Sequence, residues 1–555
     1  MARVNFMRAL PGLVLILVGC DFMRGYAEGP AAAMPNRKAP GITGYERLLF
    51  DDFGSLNTDS LKRSAVPWKL AGVALLTRER ARGTQVELSE SAFVDLLERR
   101  YGFLSRATLM NVPPSVTLST LQGPIGLIRG TVKRSWPSVE LELVNTGCAT
   151  CHAGRLYSAT GVPTSEAWIG LPSTSVNFER YSVELFEALD AASNVPEETL
   201  DSVKQMFPSV SPEELRSLRK FYLPQLKDSI AAAKANTGRF VPYSNGSAGL
   251  TNGAATLMNY FGQLPPDHFH AEQAAYTSIP EFGGLSFRTS ILCDGIYAPP
   301  GFSHDGDVEN RKSETHRHGV ARIISLFTVG TLGNSIDKAS KVSPQVRDTI
   351  DFVFDEYVPP RFPGAINAEK SLAGLSVYQR ACESCHGQYL QEQGRYVLRD
   401  LPNRLVPVDK IGTDPLRAQV VTQPLLKLLE KTALGPDLGA QRTLGYLANS
   451  LTGIWATAPY LHNGSVPTLW HLMHAEARPV RFEVGGHHLD FARVGISGTA
   501  DSAGNYALKA DEIPWTIPDW YDTNEPGKSR KGHESQFDSL TESDKDTLLE
   551  FLKEL

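Results

Sequence analysis

The sequence predicts a mainly α-helical fold with long loops, on three observations. The stretch SESAFVDLLERRYGF at 89–103 places four apolar or aromatic side chains on one helical face. The C-terminal LTESDKDTLLEFLKEL at 540–555 carries apolar side chains at the i, i+3, i+4 and i+7 spacing of a helix. Residues 240–345 are rich in Gly, Pro and Asn and show no strong strand pattern, which indicates loops.

Local signals predict the elements between these segments. The alternating SVELELV at 138–144 predicts a strand. A helix should begin at Ser211, because Ser211 and Glu214 fit a capping box and Pro212 fits the first helical position. Pro224 should kink that helix, since proline lacks the amide hydrogen that the helix interior needs.

One motif occurs twice, as GCATCHAG at 147–154 and RACESCHGQY at 380–389. The spacing C-x-x-C-H is the attachment signature of c-type haem, in which two thiols bond the porphyrin and the histidine binds iron. A zinc site or a redox dithiol is the alternative, but zinc needs four converging ligands, and a dithiol has no need of the histidine. We therefore expect two covalently bound haem c groups, attached through Cys148, Cys151, His152, Cys382, Cys385 and His386, with His152 and His386 as iron ligands.

Composition and the N-terminus indicate an exported protein. The net charge is −6 with no basic block, so nucleic acid is not an expected partner. MARVNFMRALPGLVLILVGC reads as a secretory signal whose end resembles a lipoprotein cleavage box, with Cys20 carrying the acyl chains. An ordinary signal peptide is the alternative. The expected location is the periplasmic side of a bacterial cell envelope, with a lipid anchor in a membrane.

These features divide the chain into five segments. In the second haem unit, a helix in NAEKSLAGLSVYQRACESCHG (367–387) should pack against the C-terminal helix, as the first and last helices of cytochrome c do. The full expectation is two cytochrome c-like haem domains and an N-terminal cap. The segments are a signal peptide (1–20), a tether (21–45), the cap (46–140), a first haem domain with a loop-rich insertion (141–358) and a second haem domain (359–555).

Two stretches resemble a known family. LTGIWATAPYLHNGSVPTLWHLM at 451–473 is similar to the segment after the second haem in the di-haem cytochrome c peroxidase and MauG superfamily, closest to the rubber oxygenase A branch. The stretch at 520–555 resembles the C-terminus of that branch. The resemblance implies an oxidoreductase whose first haem activates H₂O₂ or O₂ and whose second haem relays electrons. The electron donor or organic substrate stays unidentified, and calcium is a further candidate cofactor that no residue pattern supports.

The second iron needs a further ligand that the motif does not supply. The candidates are His462, His471, Met473, His474 and His533. The resemblance favours His533, which lies in a Gly-His-Glu setting. His462 would then hydrogen-bond in the wall of the haem pocket.

No sixth ligand is evident for the first iron, which favours an open position there. The resemblance points to 287–307 for the distal pocket, where Phe287 and Phe302 would form an apolar wall, or His304 or Arg288 would supply an acid–base group. Trp455 would relay electrons between the haems or simply pack. The alternatives to an enzyme are an electron carrier with both irons six-coordinate and a scaffold with structural haems.

Overall fold

A computed structural model describes most of the chain. The described residues are 27–28, 43–57, 64–117, 121, 123–237, 241, 243–264, 274–306 and 309–555. The expected signal peptide, Cys20 and nearly all of the expected tether lie outside them. Within the described residues, no helix combines the length and the hydrophobicity that crossing a bilayer requires.

Helices are distributed along the whole described chain. In chain order, α1 to α21 are Gly44–Phe50, Trp68–Ala81, Glu90–Tyr101, Cys148–Cys151, Phe178–Asn194, Pro196–Met206, Pro212–Ser217, Leu223–Thr237, Gly253–Tyr260, Glu314–Leu332, Ile336–Lys341, Ser343–Asp355, Ala368–Ala381, Glu383–His386, Val408–Ile411, Leu416–Gln419, Gln423–Glu430, Gly435–Leu438, Leu469–Met473, Glu534–Phe537 and Glu542–Leu552.

Strands are mostly short. In chain order, β1 to β19 are Ala27–Glu28, Val66–Pro67, Thr108–Leu109, Leu127–Ser135, Ser138–Thr146, Ala153–Tyr157, Pro163–Ile169, Leu250–Thr251, Thr277–Ser278, Gln388–Glu392, Arg395–Asp400, Leu405–Pro407, Gly445–Leu447, Arg481–Val484, Leu489–Asp490, Gly495–Ile496, Gly498–Ala500, Asn505–Leu508 and Asp519–Asp522.

The expectation of a mainly α fold made of two cytochrome c-like haem domains is wrong. The structure is 42% helix and 16% strand, a mixed α/β architecture with several small sheets. Four-stranded sheets have the orders β1-β4-β5-β2 and β17-β18-β14-β19, and a three-stranded sheet has the order β3-β7-β6. Most of these strands have two to five residues, too few for a period-2 pattern to stand out from loop sequence. The boundaries of the five segments stay a prediction.

The N-terminal part packs helices against the β4–β5 hairpin. The strand predicted from SVELELV is present as β5, which pairs antiparallel with β4. Helix α2 packs against α3, α5 and α6, and Trp68 contacts Phe93 with ring centres 4.6 Å apart. A π-helical turn, Leu218–Tyr222, ends two residues before Pro224, where the sequence predicts a kink. Such a turn accommodates the hydrogen bond that proline cannot make.

The C-terminal part contains the expected pair of crossing helices. Helix α13 packs against α21, and a Cβ at Gly374 would lie 2.0 Å from the carbonyl oxygen of Thr547. Glycine at this position therefore lets the two backbones approach closely. The apolar stripe of α21, including Leu548 and Phe551, is buried in this contact region.

Three apolar clusters form the interior. The first contains α1, α9, α10 and α12, the second contains α2, α3 and the β4–β5 hairpin, and the third contains α13, α21 and the β14 sheet. Cys148 packs against the first cluster, Cys151 against the second and Cys382 against the third. The first motif therefore lies where two clusters meet, and the second borders the third cluster.

Candidate haem-binding site

A single large cavity contains both C-x-x-C-H motifs. Its volume is about 980 Å³, near the upper end of the roughly 300–1,000 Å³ typical of small-molecule sites. Its walls are mostly apolar, with a few polar side chains. All six motif residues line it: Cys148, Cys151, His152, Cys382, Cys385 and His386.

The first motif begins on a close backbone contact. Helix α4 starts after Gly147, whose amide donates to the Gly126 carbonyl at 2.6 Å. The His152 ring lies against Phe282, with ring centres 4.4 Å apart. Burial lowers the pKa of His152 to about 4, which keeps the imidazole neutral, the form that binds metals. Burial raises the pKa of Cys148 to about 12, so this thiol is uncharged.

The second motif is oriented by one hydrogen bond. His386 ends helix α14, and its Nδ1 lies 2.7 Å from the carbonyl oxygen of Asn449. A carbonyl can only accept, so Nδ1 carries the proton and Nε2 is left as the basic nitrogen. Metal-binding histidines are commonly held this way. Burial lowers the pKa of His386, which again favours the neutral ring.

His533 lies opposite His386. The two ring centres are 6.2 Å apart with 28° between their planes. His533 has a φ of +68°, a conformation that costs a non-glycine residue of order 1 kcal/mol and that clusters at functional sites. Arg478 holds the loop by donating to the Gly532 carbonyl at 3.0 Å, and the His533 amide donates to Ile411 at 3.0 Å. Burial lowers the pKa of His533 to about 3.

The spacing of these two rings fits one metal between them. An imidazole bound through a nitrogen at about 2 Å places its ring centre roughly 3 Å from the metal. Two such rings on opposite sides of one iron lie about 6 Å apart, close to the separation of His386 and His533. The buried Nδ1 of His533 has no partner among the described residues. His386 and His533 would thus hold the iron of a haem c attached at Cys382 and Cys385.

Of the other candidate ligands, two have hydrogen-bond partners elsewhere and one only lines the cavity. His471 Nδ1 lies 2.8 Å from Thr468 Oγ1, and His474 contacts both the Trp470 carbonyl and Glu542. His471 and His474 are buried rather than on a solvated helix face. Met473 lines the cavity from α19.

His462 lines the cavity and has its own neighbours. Its ring stacks on Tyr446 with centres 4.1 Å apart, and Nδ1 lies 3.4 Å from Thr413 Oγ1. Burial and the nearby Arg417 lower the pKa of His462 to about 3. A wall position is the role that the sequence predicted for this residue, and that role stays a prediction.

Three of the residues expected in the distal pocket do not line the cavity. Phe287, Phe302 and His304 are not among the described residues that line the cavity. Phe287 lies beneath Lys312 at 4.3 Å, Phe302 packs on His316, and His304 Nδ1 contacts the Gly295 carbonyl at 2.6 Å. Their catalytic role stays a prediction that this packing does not support.

Arg288, from the same stretch, does line the cavity, as do Ile291 and Tyr297. Of the two side chains that the sequence offered as an acid–base group, Arg288 is therefore the one that lines the cavity.

Trp455 is buried beside the site rather than in its wall. Its ring packs edge-on against Phe362 with centres 5.6 Å apart, and its neighbours Ile454 and Thr457 line the cavity. Packing accounts for these contacts, and the electron-relay role stays a prediction.

A segment that the sequence did not single out joins the two motifs. Phe282 contacts His152, and the next residues, Gly283 and Gly284, pack against 450–452. A Cβ at Gly284 would lie 2.1 Å from Ser450 Oγ, so the approach needs glycine. Residue 449 in turn accepts from His386. In the local sequence, the adjacent Gly283 and Gly284 are the only signal that this segment approaches 450–452 closely.

Glu281 begins that segment and lines the cavity. Burial raises the pKa of this carboxyl group to about 8, although the Gly283 amide donates to Oε2 at 2.5 Å. The side chain is therefore mostly protonated at neutral pH.

The zinc alternative receives no support from the ligand positions. All four motif cysteines are free thiols, and nowhere in the described ranges do three or more His, Cys, Asp or Glu side chains form a metal-binding group. The two C-x-x-C pairs thus do not converge on one tetrahedral site.

Comparison with known proteins agrees with a haem site. Residues 445–483, which include Asn449 and His462, match a family model described as RoxA-like, cytochrome c-like. A cytochrome c-like segment implies covalently bound haem c and a haem-based redox function.

Two relatives from Sinorhizobium fredii (strain NBRC 101917 / NGR234) carry the names uncharacterized protein y4iJ and uncharacterized protein y4iM. The chain is 28% identical to y4iJ over 230 residues, covering 32% of this chain and 36% of y4iJ. It is 30% identical to y4iM over 209 residues, covering 32% of this chain and 44% of y4iM. The chain thus spans less than half the length of either relative.

Proposed function

We propose that this protein is an exported di-haem c-type oxidoreductase of the RoxA-like kind. Its first haem, at Cys148, Cys151 and His152, would activate H₂O₂ or O₂, and its second, at Cys382 and Cys385, would relay electrons. The observation that carries the proposal is the asymmetry of the two sites. His386 has a histidine facing it at iron-bridging distance, whereas His152 has no such counterpart among the described residues.

The side chains near His152 suit small-oxidant chemistry. The histidines among the described lining residues are His152, His386, His462 and His533, and the methionine is Met473. The last three of these histidines lie toward the second motif, as their contacts show. A first iron held by His152 alone would keep one axial position open, which is what binding O₂ or peroxide requires.

The protein's own groups would divide the work as follows. Haem c, when bound, supplies an iron that exchanges one electron and, where a position is open, binds a small oxidant. His386 and His533 would both bind the iron of one haem and so keep exogenous ligands from it. Burial keeps His152 neutral and able to bind metal. Ile291 and its neighbours would supply an apolar wall beside the bound group.

Replacing His533 tests the assignment of the irons. In His533→Ala, the second haem should lose its six-coordinate low-spin spectrum and its potential should rise, because an imidazole that stabilises ferric iron is gone. The first haem should still bind CO or cyanide. His318→Ala, at an exposed position, is the control. An unchanged low-spin spectrum in His533→Ala would place the ligand elsewhere, with His462 and Met473 examined next.

The second candidate function is an electron carrier with both irons six-coordinate. It is favoured if neither haem of the wild-type protein binds CO or cyanide. A high-spin ferric signal from one haem, assigned to the first motif by its loss in Cys148→Ala, favours the enzyme.

We further propose attachment to a membrane of the cell envelope through an acylated Cys20. The sequence up to Cys20 supports this. Cys20→Ala should abolish acylation, measured by labelling with a fatty-acid analogue, and should change the membrane fraction of the protein. Processing and location identical to wild type would make Cys20 an ordinary signal-peptide residue.

A further inference from the structure

Two arginines face the cavity. Arg288 and Arg417 are the Lys or Arg residues among its described lining residues. Among the described lining residues the one carboxyl group is that of Glu281, which is mostly protonated at neutral pH. The charge carried by the wall is therefore positive.

The positive charge of Arg417 is partly balanced by a carboxylate that lies outside the cavity wall. Its guanidinium lies 2.7 Å from Asp294, and both residues are buried, with 5% and 2% of their side chains exposed. Asp294 itself does not line the cavity. Cys293 beside them does, but burial raises the pKa of this thiol to about 12, so it adds no negative charge.

Arg288 is balanced less directly, because Asp294 acts on it electrostatically without forming an ion pair with it. Its Nε donates to the Ser290 carbonyl at 3.1 Å, and Nη2 donates to the Leu292 carbonyl. No carboxylate of a described residue forms an ion pair with it. Burial lowers the pKa of Arg288 to about 10, which leaves it charged at neutral pH. An unpaired charge taken out of water costs several kcal/mol unless an anion meets it.

The two arginines lie between the haem motifs. The Arg288 amide donates to Leu285, in the segment that begins at Phe282 against His152. Arg417 is near His462. The His462 ring contacts Thr413, and Thr413 also lies against Gly532 in the loop of His533. An anion that reaches both arginines would thus lie between the first and second motifs.

We propose that Arg288, with Arg417, binds a propionate carboxylate of haem at the junction of the two haem sites. This rests on the proposed function, since it takes the haem groups as present. Each haem c carries two carboxylates, and a planar guanidinium suits a carboxylate through paired hydrogen bonds. Arg288 acts as a positioning residue, and its charge raises the potential of the haem that it holds.

Arg288→Gln in the holoprotein tests this. Removing a cation next to a propionate favours ferric iron. The reduced-to-oxidised ratio of at least one haem at a fixed potential should therefore fall about tenfold, which corresponds to 59 mV for one electron. Arg288→Lys keeps the charge and should restore most of the ratio. Arg395→Gln is the control, because Arg395 also donates to a carbonyl but does not line the cavity.

Mass spectrometry of each variant separates this proposal from the function itself. A wild-type protein without covalent haem would contradict the proposed function. Arg288→Gln with two haems and unchanged potentials would overturn the propionate contact alone. Haem potentials that change with the chloride concentration would also overturn it, because the arginines would then bind an anion from solvent.

If Arg288→Gln does not yield a protein with bound haem, resonance Raman spectroscopy of Arg288→Lys tests the propionate contact instead. Its propionate bending band should shift, because lysine cannot form the paired hydrogen bonds. A band identical to wild type would refute the contact.

Discussion

Glu281 should make the stability of the protein depend on pH in a direction opposite to that of an ion-paired carboxylate. Its pKa is raised from 4.5 to about 8 by burial. The folded state therefore holds a proton that the unfolded state has already lost. The contribution to stability is fully present below pH 4.5 and is lost as the pH rises through 8.

The size of the effect follows from the two pKa values. Between pH 4.5 and 8 the free energy of unfolding should fall by about 1.4 kcal/mol per pH unit from this group alone. The whole range corresponds to at most roughly 5 kcal/mol. Glu281→Gln replaces a protonated carboxyl with a neutral group of the same shape and should remove this slope.

The assay compares guanidinium unfolding of wild type and Glu281→Gln at pH 5, 6, 7 and 8. The difference in unfolding free energy should change steadily in favour of the variant as the pH rises. Infrared difference spectra should show a carboxylic-acid band at pH 6.5 that Glu281→Gln lacks. Glu476→Gln, at an exposed position, should behave as wild type. A constant difference between wild type and Glu281→Gln, with no such band, would refute the raised pKa.

Two further predictions concern the C-terminal unit. Gly374→Ala should destabilise the protein by about 1–3 kcal/mol, because its Cβ would meet Thr547, whereas Gly253→Ala, with open space around its Cβ, should be neutral; chemical unfolding measures both. Cys382→Ala combined with Cys385→Ala should lower the mass by one haem and leave one haem-stained band on a denaturing gel, and a mass without that loss would contradict attachment at this motif.

The motifs and the helix pair could be predicted because their signals are local. The C-x-x-C-H spacing fixes three side chains within one helical turn, and the structure shows both copies lining one cavity. The apolar stripe of α21 predicted a buried helix, and in the structure Thr541 caps its first turn. His533 was suggested by resemblance rather than by any periodicity, and only the fold brings it opposite His386.

The fold class could not be predicted by the same means. Strands of two to five residues, such as β12 and β13, pair with segments about forty residues away, and no local period records such pairing. The residues of the distal pocket could not be assigned from the sequence for a related reason. The stretch 287–307 contains both aromatic and polar residues, and which of them face the cavity depends on tertiary contacts such as that of Phe302 with His316 of α10.

The two sites share one wall, and this has a consequence for any function of the pair. Phe282 contacts His152, the paired glycines after it contact 450–452, and Asn449 orients His386. A displacement of His152 or His386 is therefore transmitted to the other histidine through packed backbone, with no flexible linker between them. In the same wall lie one protonated carboxyl group, Glu281, and one unpaired cation, Arg288. On the proposed function, a change of charge at either haem would act on both groups, because a low-polarity cavity screens charges weakly. Proton uptake at Glu281 and electron transfer between two such haems should then be coupled.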